Sequence, residues 1–409
     1  MKEFFKVTPL DQVFEHINGF SMMPAETVEI ADSLGRVTAE EIVADTDLPE
    51  FHRSTMDGFA VWSASTYGAS EANPAYLTVK GTVSMGDVPG FAIKPGEAAK
   101  ISTGGMLPQG ADGIVMVEHT DVLDEHTIEV YKSVAPGQNM VEKGEDFKHG
   151  EVLLTCGKPI RPQEAGLLAA MGRTHALVYR QPVVGIISTG DEIVPVDSIP
   201  APGQVRDVNS YTLSGQLAAA GAIPVSFGIV KDNAGDLISV CRKALGKCDM
   251  VFISGGSSVG LRDYTIDTLH ALPDSRILVH GITISPGKPT ILARCAGKPV
   301  WGLPGHVVSA MVVFAVVVKP FIHHLRGALP SMGTVRPIPA ILSRNLSSVM
   351  GRIDYVRVRF REKEGQRYAE PVLGKSGLIH TMVEADGLIA VDMNSEGLDA
   401  GTTVSVMPF

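Results

Sequence analysis

Val251-Phe252-Ile253-Ser254-Gly255-Gly256-Ser257-Ser258-Val259-Gly260-Leu261-Arg262-Asp263-Tyr264-Thr265 runs from a short apolar block, through a Gly/Ser loop, into a helix-like segment. An apolar block bounded by glycine reads as a strand buried on both faces, and such strands belong to parallel sheets covered by helices. The loop is poor in side chains and rich in backbone N–H. Glycine lets those amides approach a ligand closely, and the free N–H groups at a helix start favour an anion. A strand-to-helix Gly-Gly turn also occurs for purely conformational reasons, so the neighbouring stretches decide its meaning.

Three more strand-like blocks surround it: Val183 to Ser188, Ile223 to Val230, and Ile277 to Ile284. Plausible helices follow the first two at NSYTLSGQLAAAG and NAGDLISVCRKALG, and RDYTIDTLHAL follows the quoted loop. This alternation predicts βαβ units, a mostly parallel sheet with helices on both faces, and loops gathered along one edge where α/β sheets place ligands. Five loops compete for that edge: the quoted one, Thr189-Gly190-Asp191-Glu192, Lys231-Asp232-Asn233, Ser285-Pro286-Gly287-Lys288-Pro289, and Gly302-Leu303-Pro304-Gly305-His306. Asp232 taken alone reads as a helix N-cap. Together the five supply N–H donors, hydroxyls, a fixed lysine and several acids, a set suited to chemistry at a phosphate with a Mg2+ ion to offset the carboxylates.

The flanks differ. Thr8-Pro9 reads as a helix N-cap and first turn, with Leu10, Val13, Phe14 and Ile17 at helical spacing. Short β-rich runs fill Phe59 to Val134, and the segment after Pro330 is β-like again, where Arg357, Arg359 and Arg361 read as the solvated face of a strand. The apolar run Val307 to Val318, stopped by Lys319-Pro320, reads as a buried core helix. A net charge of −10 excludes broad electrostatic binding to nucleic acid or to an anionic membrane. Charges at Lys2, Glu3 and Lys6 break up any leader, so a cytoplasmic location is expected. Four scattered cysteines, with no CxxC pair, read as small buried apolar side chains.

The ordered loops resemble the molybdopterin molybdenumtransferase family, MoeA and the matching domain of gephyrin. The resemblance rests on Ser54 to Ala60, Ile101 to Gly105, Ile114 to Glu118, Gly144 to Asp146, Thr189 to Glu192, the Ser254 to Gly260 loop with Asp263-Tyr264, Pro286 to Pro289, and Gly302 to Gly305 with Ser309. It implies a multidomain α/β plus β protein. A helical segment at 1–26 would pack on a central three-layer α/β/α molybdopterin-binding domain at 180–329. A β-rich linker at 27–46 and 149–179, a β-rich arm at 47–148 and a β-barrel at 330–409 would complete it.

It also implies an insertase that takes adenylylated molybdopterin and molybdate, cleaves the phosphoanhydride with Mg2+, and releases molybdenum cofactor and AMP. By matched position the acids are Glu192, Asp232 and Asp263 in the central domain, with Asp57, Thr103 and Asp146 entering from the other chain of a homodimer. Lys288 would offset charge, and Asp263 with Asp146 would hold the metal. Thr189, Gly190, Asp191, Ser254, Gly255, Gly256, Ser257, Ser258, Gly260, Pro286, Gly287, Pro304, Gly305, His306, Ser309, Thr103 and Gly104 would line the ligand. The resemblance leaves room for transient contact with the molybdopterin adenylyltransferase and with cofactor-accepting enzymes.

Three positions depart from the family pattern. Ser285 stands where a basic residue is usual, and His306-Val307 replaces Asn-Pro, so weakened oxyanion binding is expected unless a histidine compensates. A tungstate-preferring insertase, or a molybdopterin carrier or scaffold with little turnover, remains the alternative at this point.

Overall fold

A computed structural model describes residues 7–255, 264–329 and 336–409. The chain divides into two compact units, Met1–Glu40 with Cys156–Leu168 and Arg173–Phe409, and Glu41–Thr155 with Ala169–Gly172.

The larger unit is built on the apolar blocks. In chain order they give β1 (Val183–Thr189), α1 (Asn209–Ala219), β2 (Ile223–Val230), α2 (Ala234–Lys247), β3 (Met250–Ser254), α3 (Tyr264–His270), β4 (Arg276–His280), β5 (Ile284–Ser285), β6 (Ile291–Cys295) and β7 (Lys298–Leu303). Six of these strands form one sheet in the order β2-β1-β3-β7-β6-β4. β2, β1, β3 and β7 run parallel, β6 runs antiparallel to β7, and β4, antiparallel to β6, closes that side in the original direction.

The period-2 alternation of a strand explains the unbroken apolar runs. Met250 and Phe252 pack in one core with Leu213 and Leu217 of α1, while Val251 and Ile253 pack on the opposite face with Leu237 and Cys241 of α2. Both faces are covered, so neither can be polar.

Helix α4 (Val307–Val313) runs through a π turn, Phe314–Val318, into α5 (Lys319–Leu325). The stop expected at Lys319-Pro320 does not occur. Pro320 has no N–H to give and its ring crowds the carbonyl one turn back, and the widened turn before it accommodates both. By length and composition these 19 residues could cross a membrane. They are instead a core helix: Val308, Ala310, Val312, Val313, Val317 and Val318 are fully buried in the same cluster as Leu213 and Trp301.

The C-terminal strands β8 (Ile338–Leu342), β9 (Ile353–Lys363), β10 (Gln366–Pro371), β11 (Gly387–Val391) and β12 (Thr403–Pro408) close into a barrel in the circuit β9-β10-β8-β12-β11-β9. Leu342, Val358, Ala369, Ile389 and Val406 fill it. The short strand β5 pairs in parallel with the start of β9. On β9, Arg359 and Arg361 both reach Glu370 Oε2, at 2.7 and 3.1 Å, while Arg357 donates to Thr381 Oγ1 and to the Gly374 carbonyl at 2.8 and 2.7 Å. Two of the three arginines therefore form surface pairs, and the third braces a loop.

Two small readings are corrected. Thr8 is no N-cap: it bridges to Ile282, donating to the Gly281 carbonyl at 2.9 Å, and the helix starts at Leu10 with no side-chain cap. Cys156 is exposed, unlike the buried Cys241, Cys248 and Cys295.

The smaller unit is β-rich. Its main sheet has the order Gly113–Met116, Gly58–Val61, Glu97–Ile101, Ala75–Val83, Thr127–Val130, Thr120–Val122. Alternation again sends Phe59, Val61 and Val115 to one small core and Ala60, Ile101 and Ile114 to another.

Candidate active site

The strand order reverses at β1: one crossover leads outward to β2, the next returns to β3 on the other side. A crevice must open where the two crossovers part, at the carboxyl ends of β1 and β3. A cleft of about 810 Å3 lies there, lined by Thr189 and Ser254 from those strand ends. Its other walls are Glu192, the 205–209 segment, Ser285 to Pro289, Pro304 to Val307 and Ser309. The Pro-Gly-Lys-Pro loop reaches the same edge by a different route, since it precedes the antiparallel β6, whose Ile291 stands opposite Gly302 of β7.

Two glycines are dictated by close approach. Gly255 has φ +114°, and a Cβ there would lie 2.1 Å from the Thr189 carbonyl oxygen. Gly287 has φ +120°, and its Cβ would meet Val313 Cγ2 at 2.3 Å. Thr290 Oγ1 donates to the Gly287 carbonyl at 2.6 Å, and Ile282 N–H donates to the Lys288 carbonyl at 2.9 Å, so the lysine sits on a tied backbone.

The acids around β1 and β2 are joined by short links. Thr189 Oγ1 donates to Asp232 Oδ1 at 3.2 Å, Asp232 N–H donates to Asp191 Oδ1 at 3.3 Å, and Lys231 Nζ donates to the Asp191 carbonyl at 2.8 Å. Asp232 is not the cap of α2. Asn233 is, its Oδ1 accepting from Gly235 N–H and Asp236 N–H at 2.9 and 3.2 Å. Asp232 is thereby free to face Thr189. Gly190 N–H donates to the Val230 carbonyl at 3.2 Å, which ties the two strand ends together. Gly256, Ser257, Ser258, Gly260 and Asp263 lie outside the described residues.

In the smaller unit Asp57 Oδ1 accepts from Thr103 N–H at 2.6 Å and from Thr103 Oγ1 at 3.0 Å. The backbone donor above all, then the hydroxyl, hold this carboxyl below its ordinary range. Gly104, with φ +81°, donates its N–H to the Ser54 carbonyl at 2.8 Å. Asp146 is exposed, its N–H given to the Leu48 carbonyl at 3.0 Å, and it makes no hydrogen bond to the Asp57–Thr103 pair. Among the described residues no three histidine, cysteine or acidic side chains gather as a metal site; Asp263, one of the two expected metal ligands, lies outside them.

Among the cleft residues that escaped the sequence reading are Arg206, Asp207, Asn209, Arg352, Ser376 and Gly377. Asn209 Nδ2 donates to Ser254 Oγ at 2.7 Å and to the Gly305 carbonyl at 2.9 Å, stapling two ligand loops together. Arg352, paired with Asp354 at 2.9 Å, adds positive charge from the barrel. The cleft lining carries Lys288, Arg206 and Arg352, the last compensated by its partner Asp354, against Glu192 and Asp207. Strand alternation had drawn notice to Arg357, Arg359 and Arg361. The arginine that reaches the cleft stands just before that strand, where no periodicity marks it.

Residues 8–172 match the MoeA N-terminal region, domains I and II, residues 185–324 a probable molybdopterin binding domain, and residues 339–409 the MoeA C-terminal region, domain IV. A putative molybdopterin biosynthesis protein of Methanocaldococcus jannaschii is 36% identical over 96% of this chain and 95% of its own. The molybdopterin molybdenumtransferase of Bacillus subtilis is 32% identical over 98% and 93%. The crystal structure of a molybdopterin biosynthesis MoeA protein from Pyrococcus horikoshii OT3 superposes with a TM-score of 0.86 at 30% identity, covering 99% of this chain and all of that one.

Proposed function

The chain belongs to the MoeA family, and from that premise we propose that it is a molybdenum insertase acting on adenylylated molybdopterin and molybdate to give molybdenum cofactor and AMP. One observation carries the reading: a single cleft joins the Gly255 turn, the tied Lys288 loop and Arg352 around a volume fit for a nucleotide-sized ligand.

Breaking a phosphoanhydride is mostly a matter of holding the reacting groups and stabilising spread negative charge. The Gly305 amide, in the turn between β7 and α4, suits a phosphate oxygen. Lys288, Arg352 and the Ser376 hydroxyl, which line the same cleft, suit a small dianion. Glu192, exposed on the cleft wall, would orient water or the adenylate. Mg2+ would supply further charge at the anhydride.

The test is incubation with adenylylated molybdopterin, with and without molybdate and Mg2+, following AMP. AMP released in step with metal insertion, and only with both additions, is the expected result. Ligand bound tightly with no AMP would instead make the protein a carrier, and tungstate outcompeting molybdate at equal concentration would reassign the oxyanion. We also propose a homodimer in which Asp57, Thr103 and Asp146 serve the central cleft of the other chain, as the family resemblance implies.

A further inference from the structure

Ser376 is held twice to the start of α4. Its carbonyl accepts from Val308 N–H at 3.0 Å, and its Oγ lies 2.8 Å from His306 Nδ1. Both residues line the same cleft as Lys288 and Arg352. The His306–Ser376 bond can be made in two ways. If the serine hydroxyl donates to Nδ1, its proton is spent and it shows the cleft only lone pairs, which an anion rejects. If Nδ1–H donates to Oγ, the serine hydrogen is free to point into the cleft and donate to an anion. A neutral ring offers the second arrangement only in one tautomer. The imidazolium offers it always and adds a positive charge.

We propose that His306 is a positioning residue that couples oxyanion binding to proton uptake, by holding the Ser376 hydroxyl in its anion-donating orientation. The inference rests on the reading of the cleft as an oxyanion site. The charged groups on the surrounding elements are Glu192 after β1, Arg206 and Asp207 before α1, Lys288 before β6, Arg352 before β9 with its partner Asp354, and Lys375 next to Ser376. His380 is paired with Glu384 at 3.4 Å. Among the described residues no ion pair involves His306.

The experiment measures molybdate binding, as the sole added ligand at micromolar concentration, by calorimetry from pH 6 to 8 in buffers of differing protonation enthalpy. Wild type should weaken about three- to tenfold across that range and take up protons on binding wherever the affinity falls with pH. His306→Gln, which keeps a side-chain donor but cannot titrate, should bind with a flat pH profile. His306→Ala should weaken binding in the otherwise unaltered protein and cost at least about threefold less in Ser376→Ala, where only the ring's charge is left to lose. An unchanged pH slope in His306→Gln, or an equal cost of His306→Ala in both backgrounds, overturns the inference and leaves the insertase reading standing. No molybdate binding by wild type at any pH would overturn the oxyanion reading itself. Ring 15N resonances of wild type give an independent readout: molybdate must drive the proton onto Nδ1, and a ring that keeps a bare Nδ1 in the complex refutes the coupling.

Discussion

At residue scale the sharpest constraint is Gly255. Its φ of +114° disfavours any side chain, and the Thr189 carbonyl occupies the place of a Cβ. Gly255→Ala must therefore push the end of β3 away from β1, separating the strand ends on which the crevice depends. Binding of adenylylated molybdopterin should weaken by at least about tenfold, with global stability reduced by about 1–3 kcal/mol. Equilibrium binding beside urea unfolding checks this, and full affinity in a folded variant would show that the strand-end spacing is irrelevant. The same residue shows what the sequence can say: a glycine before a glycine flags a turn, but that a neighbouring strand's carbonyl forbids a side chain is visible only once β1 and β3 are paired. Arg352 was hidden for a related reason, because a residue outside a strand carries no alternation to betray its direction.

Among elements, those with two buried faces were the most legible. β1 and β3 follow from apolar runs because helices cover both sides of the sheet, and each run ends where a loop meets the ligand edge, whereas the edge strand β2 buries only Val230. Helix ends were less legible. Pro320 read as a stop, yet packing of Phe321, Ile322 and Leu325 into the core outweighs the missing hydrogen bond once a π turn relieves the clash. That continuation buries His323, and burial first, then the Lys319 and Arg326 charges, push its imidazole down to about 4.

The linkage has a definite sign. The folded state binds this proton less readily than the unfolded chain, whose histidine titrates near pH 6.5. Stability is thus full above about pH 6.5 and is lost as pH falls from there toward 4. His323→Gln should flatten that loss, so that between pH 7 and 5 its melting temperature falls by at least about 2 °C less than that of wild type. Parallel melting curves would show that α5 opens to solvent or that another group governs the acid limb.

For the whole molecule the dimer proposal makes a numerical prediction. Asp57→Asn and Lys288→Ala lie in different units of the chain, and each should inactivate the homodimer when present alone. Mixed in equal amounts, about half of the dimers are hybrids, and each hybrid has one doubly defective and one intact composite site. Roughly a quarter of wild-type AMP release should return. If tagged pull-down proves subunit exchange and activity still does not recover, each site is made by one chain and Asp57 serves only its own unit.

The two-residue strand β5 carries a consequence for modularity. It belongs by hydrogen bonding to the barrel, pairing with Ile353 and Asp354, yet it lies in sequence inside the central domain and leads directly into the lysine loop. The chain has in effect lent a piece of one domain to another. A recombinant swap of barrels cut at residue 330, where composition changes, would leave that piece behind in the wrong host, facing a foreign partner strand. Grafts should succeed only when Ile284-Ser285 and the strand that receives it are exchanged as a matched pair, so inheritance in this fold is expected to respect the seam of hydrogen bonds rather than the seam of the sequence.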